Sequence, residues 1–274
     1  MKKRKRKDER QEIKVITSQW VEEHCMFLTE RDKKMLELLV KFPLLNSEHL
    51  YYLTPSTSNE KAFYELKQGR KRCNERIRVL FELHCVNKWV PRLPIGEGTS
   101  KQYVAIDRAG CKLLGIDKKV RQTIPQNWKH QSMAMDLYCQ YVIRHREKKI
   151  YIYFLEREYK CQTSNLIPDI AVLYKQKGKG YFFFIEIDRC EKKESAEKIK
   201  LKTYQNWRTS QAWLSEPWNQ ILPQPAFPLI LYLFDERKKE WKRRAKALER
   251  YAQEIRLPAK FIGFQTFLNN LAES

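Results

Sequence analysis

Glycine is scarce in this chain, with 8 among 274 residues, and no cluster of them has the spacing that cradles a nucleotide phosphate. The closest approaches, Gly96/Gly98 and Gly178/Gly180, lie between apolar alternating segments and read as hairpin turns, so there is no Gly-rich phosphate loop. A serine nucleophile of the G-x-S-x-G type is absent as well. Seven cysteines stand singly at 25, 73, 85, 111, 139, 161 and 190. Without a C-x-x-C pair they exclude an ordinary zinc finger and a tidy disulfide framework, and they point to a reducing, cytoplasmic setting. His84 and Cys85 are neighbours, but adjacent helical side chains diverge by ~100°, which argues against a Cys-His dyad. No apolar run approaches the ~18 residues of a membrane span. Met1 to Lys7 lacks the apolar stretch of a secretory signal, so no membrane partner is expected.

Acids are also in short supply. Lys and Arg number 54 against 33 Asp and Glu, a formal charge of +21. Residues 1–124 carry +11 of it and residues 125–274 carry +10, so the excess is no mere basic tail on a neutral enzyme. A charge of this size repels itself unless a polyanion neutralises it, and double-stranded DNA is the first partner to consider. With 42% hydrophobic residues, 7 Trp, 14 Tyr and 13 Phe, the chain is too apolar for a disordered polycation.

The order of elements divides the chain into a basic arm at 1–27, a first domain at 28–115, a linker at 116–126 and a second domain at 127–274. Thr29-Glu30-Arg31-Asp32 has the form of a capping box, followed by Met35, Leu36, Leu39 and Phe42 at helical spacing and a stop at Pro43. Asn46 or Ser47 caps a second short helix. A third runs from about Glu60 or Arg70 to His84 with Cys73, Ile77 and Leu80 inward. Strands at Val86–Leu93 and Gln102–Ile106 flank a turn at 94–98. Three helices and a hairpin make the winged-helix plan, in which the third helix enters the major groove. That helix carries Lys67, Arg70, Lys71, Arg72, Arg76 and Arg78 against one acid, Glu75, and these six are the expected DNA contacts. A helix with a solvated charged face is the alternative, and the single sign of the charge favours DNA.

In the second domain a helix at 128–146 is followed by strands at 151–156, 167–174, 181–188, 228–234 and 260–264, with helices at 191–208 and 236–255. Apolar strands such as Tyr181 to Ile185 need cover on both faces, which predicts an α/β layer fold. The segment 210–225 reads as an insertion on its rim. A hairpin folded about Lys175–Gly180 pairs positions whose numbers sum to 355, so Asp169 faces Glu186, with Asp188 on the same face. Opposed carboxylates need a positive group, and a divalent ion with oxygen ligands is the natural candidate. Mg²⁺ or Mn²⁺ held by Asp169, Glu186 and Asp188 is the expectation. On the next helix the apolar stripe reads Ala196, Ile199, Thr203, Tyr204 and Trp207, and Lys200 falls within it, able to reach the acids or to snorkel to water. Glu156 is a further candidate acid, with Glu158 equally available.

Pro168-Asp169 followed by Glu186-Ile187-Asp188 resembles the PD-(D/E)XK nuclease superfamily. More narrowly, the chain over roughly 28–205 is similar to the replication-relaxation family of plasmid and mobile-element proteins. The similarity lies in Leu28 to Asp32, Arg76 to Leu83, Tyr103 to Gly110, His130, Pro168-Asp169, Phe184 to Arg189, and Lys200-Leu201 with Tyr204. The resemblance implies an α+β winged helix followed by an α/β restriction-endonuclease-like domain, and a role in plasmid replication or mobilisation among other proteins of that process. In the nuclease superfamily the position two after Glu186 holds a lysine; here it is Asp188. Either the amine has moved to Lys200, or the fold is kept and the reaction lost. Two functions are therefore expected in competition, a DNA-binding protein and a Mg-dependent DNA endonuclease or nickase, with a protein-binding adaptor third. His130 matches the family without a derived role.

Overall fold

The computed structural model describes residue 13 and residues 15–93, 100–117 and 119–273. The chain divides into two compact units at Ser132/Met133. Met1 to Lys7 and the turn at 94–98 lie outside the described residues.

The basic arm expected over 1–27 is shorter than that, because α1 (Ser18–Cys25) is a helix. The Thr17 hydroxyl accepts from the Trp20 amide at 3.0 Å and caps it, and Val21 and Cys25 are buried. The capping box at Thr29 and Asp32 opens α2 (Glu30–Lys41), whose Met35, Leu36 and Leu39 have no exposed surface. Two residues of strand, β1 (Leu45–Asn46), lead into α3 (Ser47–Leu53). Here Asn46 Oδ1 accepts from the Glu48 and His49 amides at 2.9 Å each. The third long helix, α4 (Gly69–Glu82), buries Cys73, Ile77 and Leu80. It must start on glycine, since a Cβ at position 69 would stand 1.7 Å from the Phe63 carbonyl oxygen. Then β2 (Val86–Trp89) pairs antiparallel with β3 (Tyr103–Ile106), and α5 (Arg108–Leu113) follows. The first strand ends at Trp89, short of the expected Leu93. The sheet has the order β1-β3-β2, so the two-residue strand before α3 is stitched to the hairpin.

The helix α6 (Trp128–Arg146) begins before the boundary and contributes most of its length to the second unit, where it precedes β4 (Tyr151–Arg157), β5 (Ile170–Gln176) and β6 (Lys179–Asp188). After these come α7 (Glu194–Thr209), β7 (Leu229–Phe234), α8 (Trp241–Glu254), β8 (Ala259–Gly263) and α9 (Phe264–Glu273). The five-stranded sheet has the order β4-β5-β6-β7-β8, antiparallel as far as β6 and parallel from β6 to β8. The β5–β6 turn is only Lys177-Gly178, both at positive φ (47° and 82°), as a two-residue hairpin of right-handed twist requires. Ile170 pairs with Ile185 and Gln176 with Lys179, which is the expected register.

On one face of the sheet Phe184, Ile230 and Tyr232 pack with Leu201, Tyr204 and Trp207 of α7 and Leu248 of α8. Tyr141 of α6 meets the Tyr174 ring at 5.5 Å. The segment 210–225 is no rim decoration: Trp218 is 1% exposed, with its ring 5.3 Å from Phe184 and 5.9 Å from Trp207. Buried Glu216 fixes it by accepting from Tyr159 Oη at 2.9 Å and from the Thr163 amide and hydroxyl at 2.9 and 2.8 Å. The stripe read on α7 is also corrected. Ile199 is 68% exposed and Ala196 is exposed, whereas Glu197, Leu201, Tyr204 and Trp207 point inward. Glu197 tolerates burial because the Tyr232 hydroxyl donates to it at 3.3 Å. Among the described residues no helix is long and apolar enough to cross a membrane.

Candidate functional site

Residues of alternate number on β6 face the same way, so Phe184, Glu186 and Asp188 run along the side covered by α7 and α8. Asp169 stands immediately before β5. One step beyond the Ile170–Ile185 pair, it lies opposite Glu186. Its carboxylate accepts from the Ile187 amide at 2.7 Å, which ties the start of β5 to the end of β6. The structure thus brings Asp169 and Glu186 together.

Glu186 is buried, and both its oxygens are engaged from α7. The Lys200 ammonium forms an ion pair with Oε2, and the Tyr204 hydroxyl donates to Oε1 at 2.5 Å. Lys200 and Tyr204 are four residues apart, one helical turn, and therefore reach the same carboxylate. Burial pushes the Glu186 carboxyl up to about 7, with Asp169 adding to the rise and Lys200 opposing it. Lys200 retains 28% of its side-chain exposure. Burial alone would lower its ammonium, but Glu186 and then Asp169 hold it above its ordinary value. Tyr204 is raised by burial first and Glu186 second, so it remains a donor. Two positions after Glu186 stands Asp188, and the amine beside Glu186 is Lys200 of α7.

Asp188 is not part of this cluster. Its Oδ1 accepts from the Cys190 amide at 2.7 Å and its Oδ2 from Arg244 Nε at 2.5 Å. Arg244 also donates to the Lys192 carbonyl at 2.8 Å, so the pair fastens α8 to the loop between β6 and α7. Glu156 departs too. It pairs with Ala171, is exposed, and lines a separate cavity with Glu158, Tyr159 and Trp218.

A metal centre of Asp169, Glu186 and Asp188 together does not fit this arrangement. Among the described residues no three His, Cys, Asp or Glu side chains converge as ion ligands. Asp169 and Glu186 remain as a pair, which is the smaller donor set from which Mg²⁺ is commonly held when substrate phosphate and water complete its shell.

The cations of the first unit separate in the same way. Arg76 turns inward, with Nε 2.8 Å and Nη2 2.5 Å from the two oxygens of Asp32, which is 0% exposed. It holds α4 to α2 and is withdrawn from the expected DNA contacts. Arg70 lies over the Tyr51 ring at 4.9 Å and donates to Glu48 and the Tyr52 hydroxyl. Arg78 is exposed, 3.7 Å from Glu82. Lys71 and Arg72 are exposed in the first turn of α4, and Lys67, expected on the same helix, is exposed in the turn that precedes it.

Three partners escaped the sequence reading as members of a site. Tyr204 had a signal, its i+4 spacing from Lys200. Arg244 had one too, since it shares the inward stripe of α8 with Ala245, Leu248 and Ala252. Asp32 gave none beyond its cap, because its partner is 44 residues away.

The chain has slight structural likeness to the restriction endonuclease FokI, at 12% identity and a TM-score of 0.32 over 88% of this chain. It spans 43% of that chain. No curated protein matches it. The family model described as replication-relaxation matches residues 36–217, well over half of the chain and both of its units, and the protein therefore belongs to the replication-relaxation family.

Proposed function

We propose that the protein is a DNA-binding protein of a plasmid or mobile element that acts in replication or mobilisation beside other proteins of that process. Its first unit is read as a winged helix. The order β1-β3-β2, with α2, α3 and α4 preceding the hairpin, supports that reading. The second unit is read as a nuclease-like domain, supported by the Asp169–Glu186 pair at the ends of β5 and β6. Free thiols, six of the seven buried, suit the expected reducing cytoplasm.

One observation carries the DNA reading: the first turn of α4 presents exposed Lys71 and Arg72, with exposed Lys67 in the turn before it, while Arg76 is spent internally on Asp32. An α-helix fits the ~12 Å major groove of B-DNA, and Lys and Arg at its leading end meet phosphates and guanine edges. The test is duplex affinity by fluorescence anisotropy. Lys71→Glu with Arg72→Glu should weaken binding at least tenfold while leaving Tm unchanged. Unchanged affinity would remove α4 as the docking helix.

A second reading, a Mg²⁺- or Mn²⁺-dependent endonuclease or nickase, is favoured by one feature. Lys200 pairs with Glu186, Asp169 stands opposite Glu186, and the lysine is partly open to solvent. Asp169 and Glu186 would hold the ion, which supplies charge stabilisation on a phosphate. Lys200 would place its ammonium beside the same phosphate. Supercoiled plasmid with either metal tests it: nicking by the parent and none by Asp169→Ala supports cleavage. Nicking by neither protein, or equally by both, contradicts it and leaves the binding function.

A further inference from the structure

At the end of the second unit away from Asp169 and Glu186 lies a cavity of about 520 Å³, five of whose eight lining residues are Lys or Arg. Arg146, Lys148 and Lys149 come from the C-terminal end of α6 and the loop after it, and Lys175 and Lys177 from the β5–β6 hairpin. Favourable alignment with a helix C-terminus accounts for basic residues in the last turn of α6. It does not account for the two hairpin lysines, which belong to a different element. The nearby acid in this stretch, Glu147, is paired with Lys149 at 2.8 Å. Lys148, Lys149, Lys175 and Lys177 are all exposed. Such a concentration of one charge costs stability unless an anion lies across it.

The same place offers rings. Tyr151 is 58% exposed and Tyr153 47%, their centroids 4.8 Å apart, on the edge strand β4. Both residues beside Tyr153 are matched to β5, Ile152 to Tyr174 and Phe154 to Leu173, so Tyr153 is the extra residue of a bulge. Bulges on edge strands re-aim side chains and blunt the edge against pairing. His145 packs edge-on to Tyr151 at 5.8 Å and braces it. Two neighbouring aromatic rings beside a lysine-lined groove are what unpaired bases require, since each base has a face to stack and each nucleotide a phosphate to neutralise. A duplex keeps its bases stacked on one another and cannot use the rings.

We infer that this cavity and the Tyr151–Tyr153 edge bind single-stranded DNA, as a surface separate from both α4 and the acid cluster. Lys175 lies six positions along β5 from Asp169, roughly 20 Å at the rise of a strand. A strand held here is therefore several nucleotides from Asp169 and Glu186. The inference goes beyond the duplex-docking reading and does not depend on it.

The experiment compares the full chain with two variants, Lys175→Glu/Lys177→Glu and Tyr151→Ala/Tyr153→Ala, on labelled dT20, rU20 and a 20-base-pair duplex. Lys71→Glu/Arg72→Glu serves as the reference for α4. The lysine pair should lower dT20 affinity at least tenfold and duplex affinity no more than threefold, and the tyrosine pair should do the same. Tyr151→Phe/Tyr153→Phe should restore dT20 binding. An oligonucleotide containing 5-iodouracil should photocrosslink to Tyr151 or Tyr153 in the parent protein, a readout that requires no variant to fold. Absence of dT20 binding, equal losses on dT20 and duplex, or crosslinks confined to the first unit would overturn the inference. Tighter binding of rU20 than of dT20 would overturn its assignment to DNA. Failure of Lys71→Glu/Arg72→Glu to affect the duplex would count against α4 alone and leave this surface standing.

Discussion

Arg76 on α4 closes a two-pronged ion pair on Asp32, the same residue whose carboxylate accepts the Thr29 amide at 2.9 Å to cap α2. A single buried acid thus fixes the start of one helix and the height of another against it. Arg76, one of the six expected DNA contacts, is a structural part, and the exposed Lys71 and Arg72 lie about one turn earlier on the helix.

Arg76→Ala should therefore destabilise the protein by about 3 kcal/mol, since removing one partner strands the other charge in the interior. Lys71→Ala, on the open face, should shift stability by less than about 0.5 kcal/mol. Urea unfolding of the two variants checks the contrast. Equal stability of both would mean that Arg76 is not engaged as described.

Asp188 and Arg244 are 4% and 6% exposed in their side chains, and each is bonded to backbone as well as to the other. Asp188→Ala and Arg244→Ala should each cost about 3–5 kcal/mol, as for a buried pair broken on one side. The double variant should cost clearly less than their sum, because neither charge is then left uncompensated. Additive losses in a double-mutant cycle would contradict a direct pair. A metal ligand would behave differently, with the stability of the parent falling towards that of Asp188→Ala on removal of divalent ions by chelator.

The carboxyl of Glu186 is raised to about 7 from an ordinary value near 4.5, chiefly by burial. Between those values the folded protein binds more protons than the unfolded chain, so stability falls as pH rises from about 4.5 to 7 and the loss is complete above it. Glu186→Gln abolishes the titration. The difference in Tm between parent and variant should therefore change steadily across that window in the variant's favour. A difference that stays constant from pH 4.5 to 8 would show that Glu186 does not titrate there. Lys200 acts in the alkaline range and in the same direction. Its raised ammonium contributes stability below about 10.5, lost as pH climbs through its higher folded value.

Much of the scaffold was legible in residue order because its signals are local. Thr29 and Asn46 announce their helices by side-chain capping, and the two-residue Lys177-Gly178 turn sets the β5–β6 register that places Asp169 opposite Glu186. The inward side of α7 was misjudged because a carboxylate, Glu197, is buried against the Tyr232 hydroxyl while Ile199 faces water, so the hydrophobic period points the wrong way. The three-acid ion site failed for a related reason. Strand alternation correctly aligned Glu186 and Asp188, but only packing decides that α7 meets the first and α8 the second. Partners such as Arg76 with Asp32, or Arg244 with Asp188, are 44 and 56 residues apart and leave no periodic trace of each other.

The most direct test of DNA docking through α4 is the salt dependence of duplex affinity. Plotting the logarithm of the association constant against the logarithm of salt concentration should give a steep negative line for the parent, with each phosphate-contacting cation adding about 0.9 to its slope. Lys71→Ala should make that slope shallower by about 1. A line that is flat in the parent, or identical in the variant, would contradict the account.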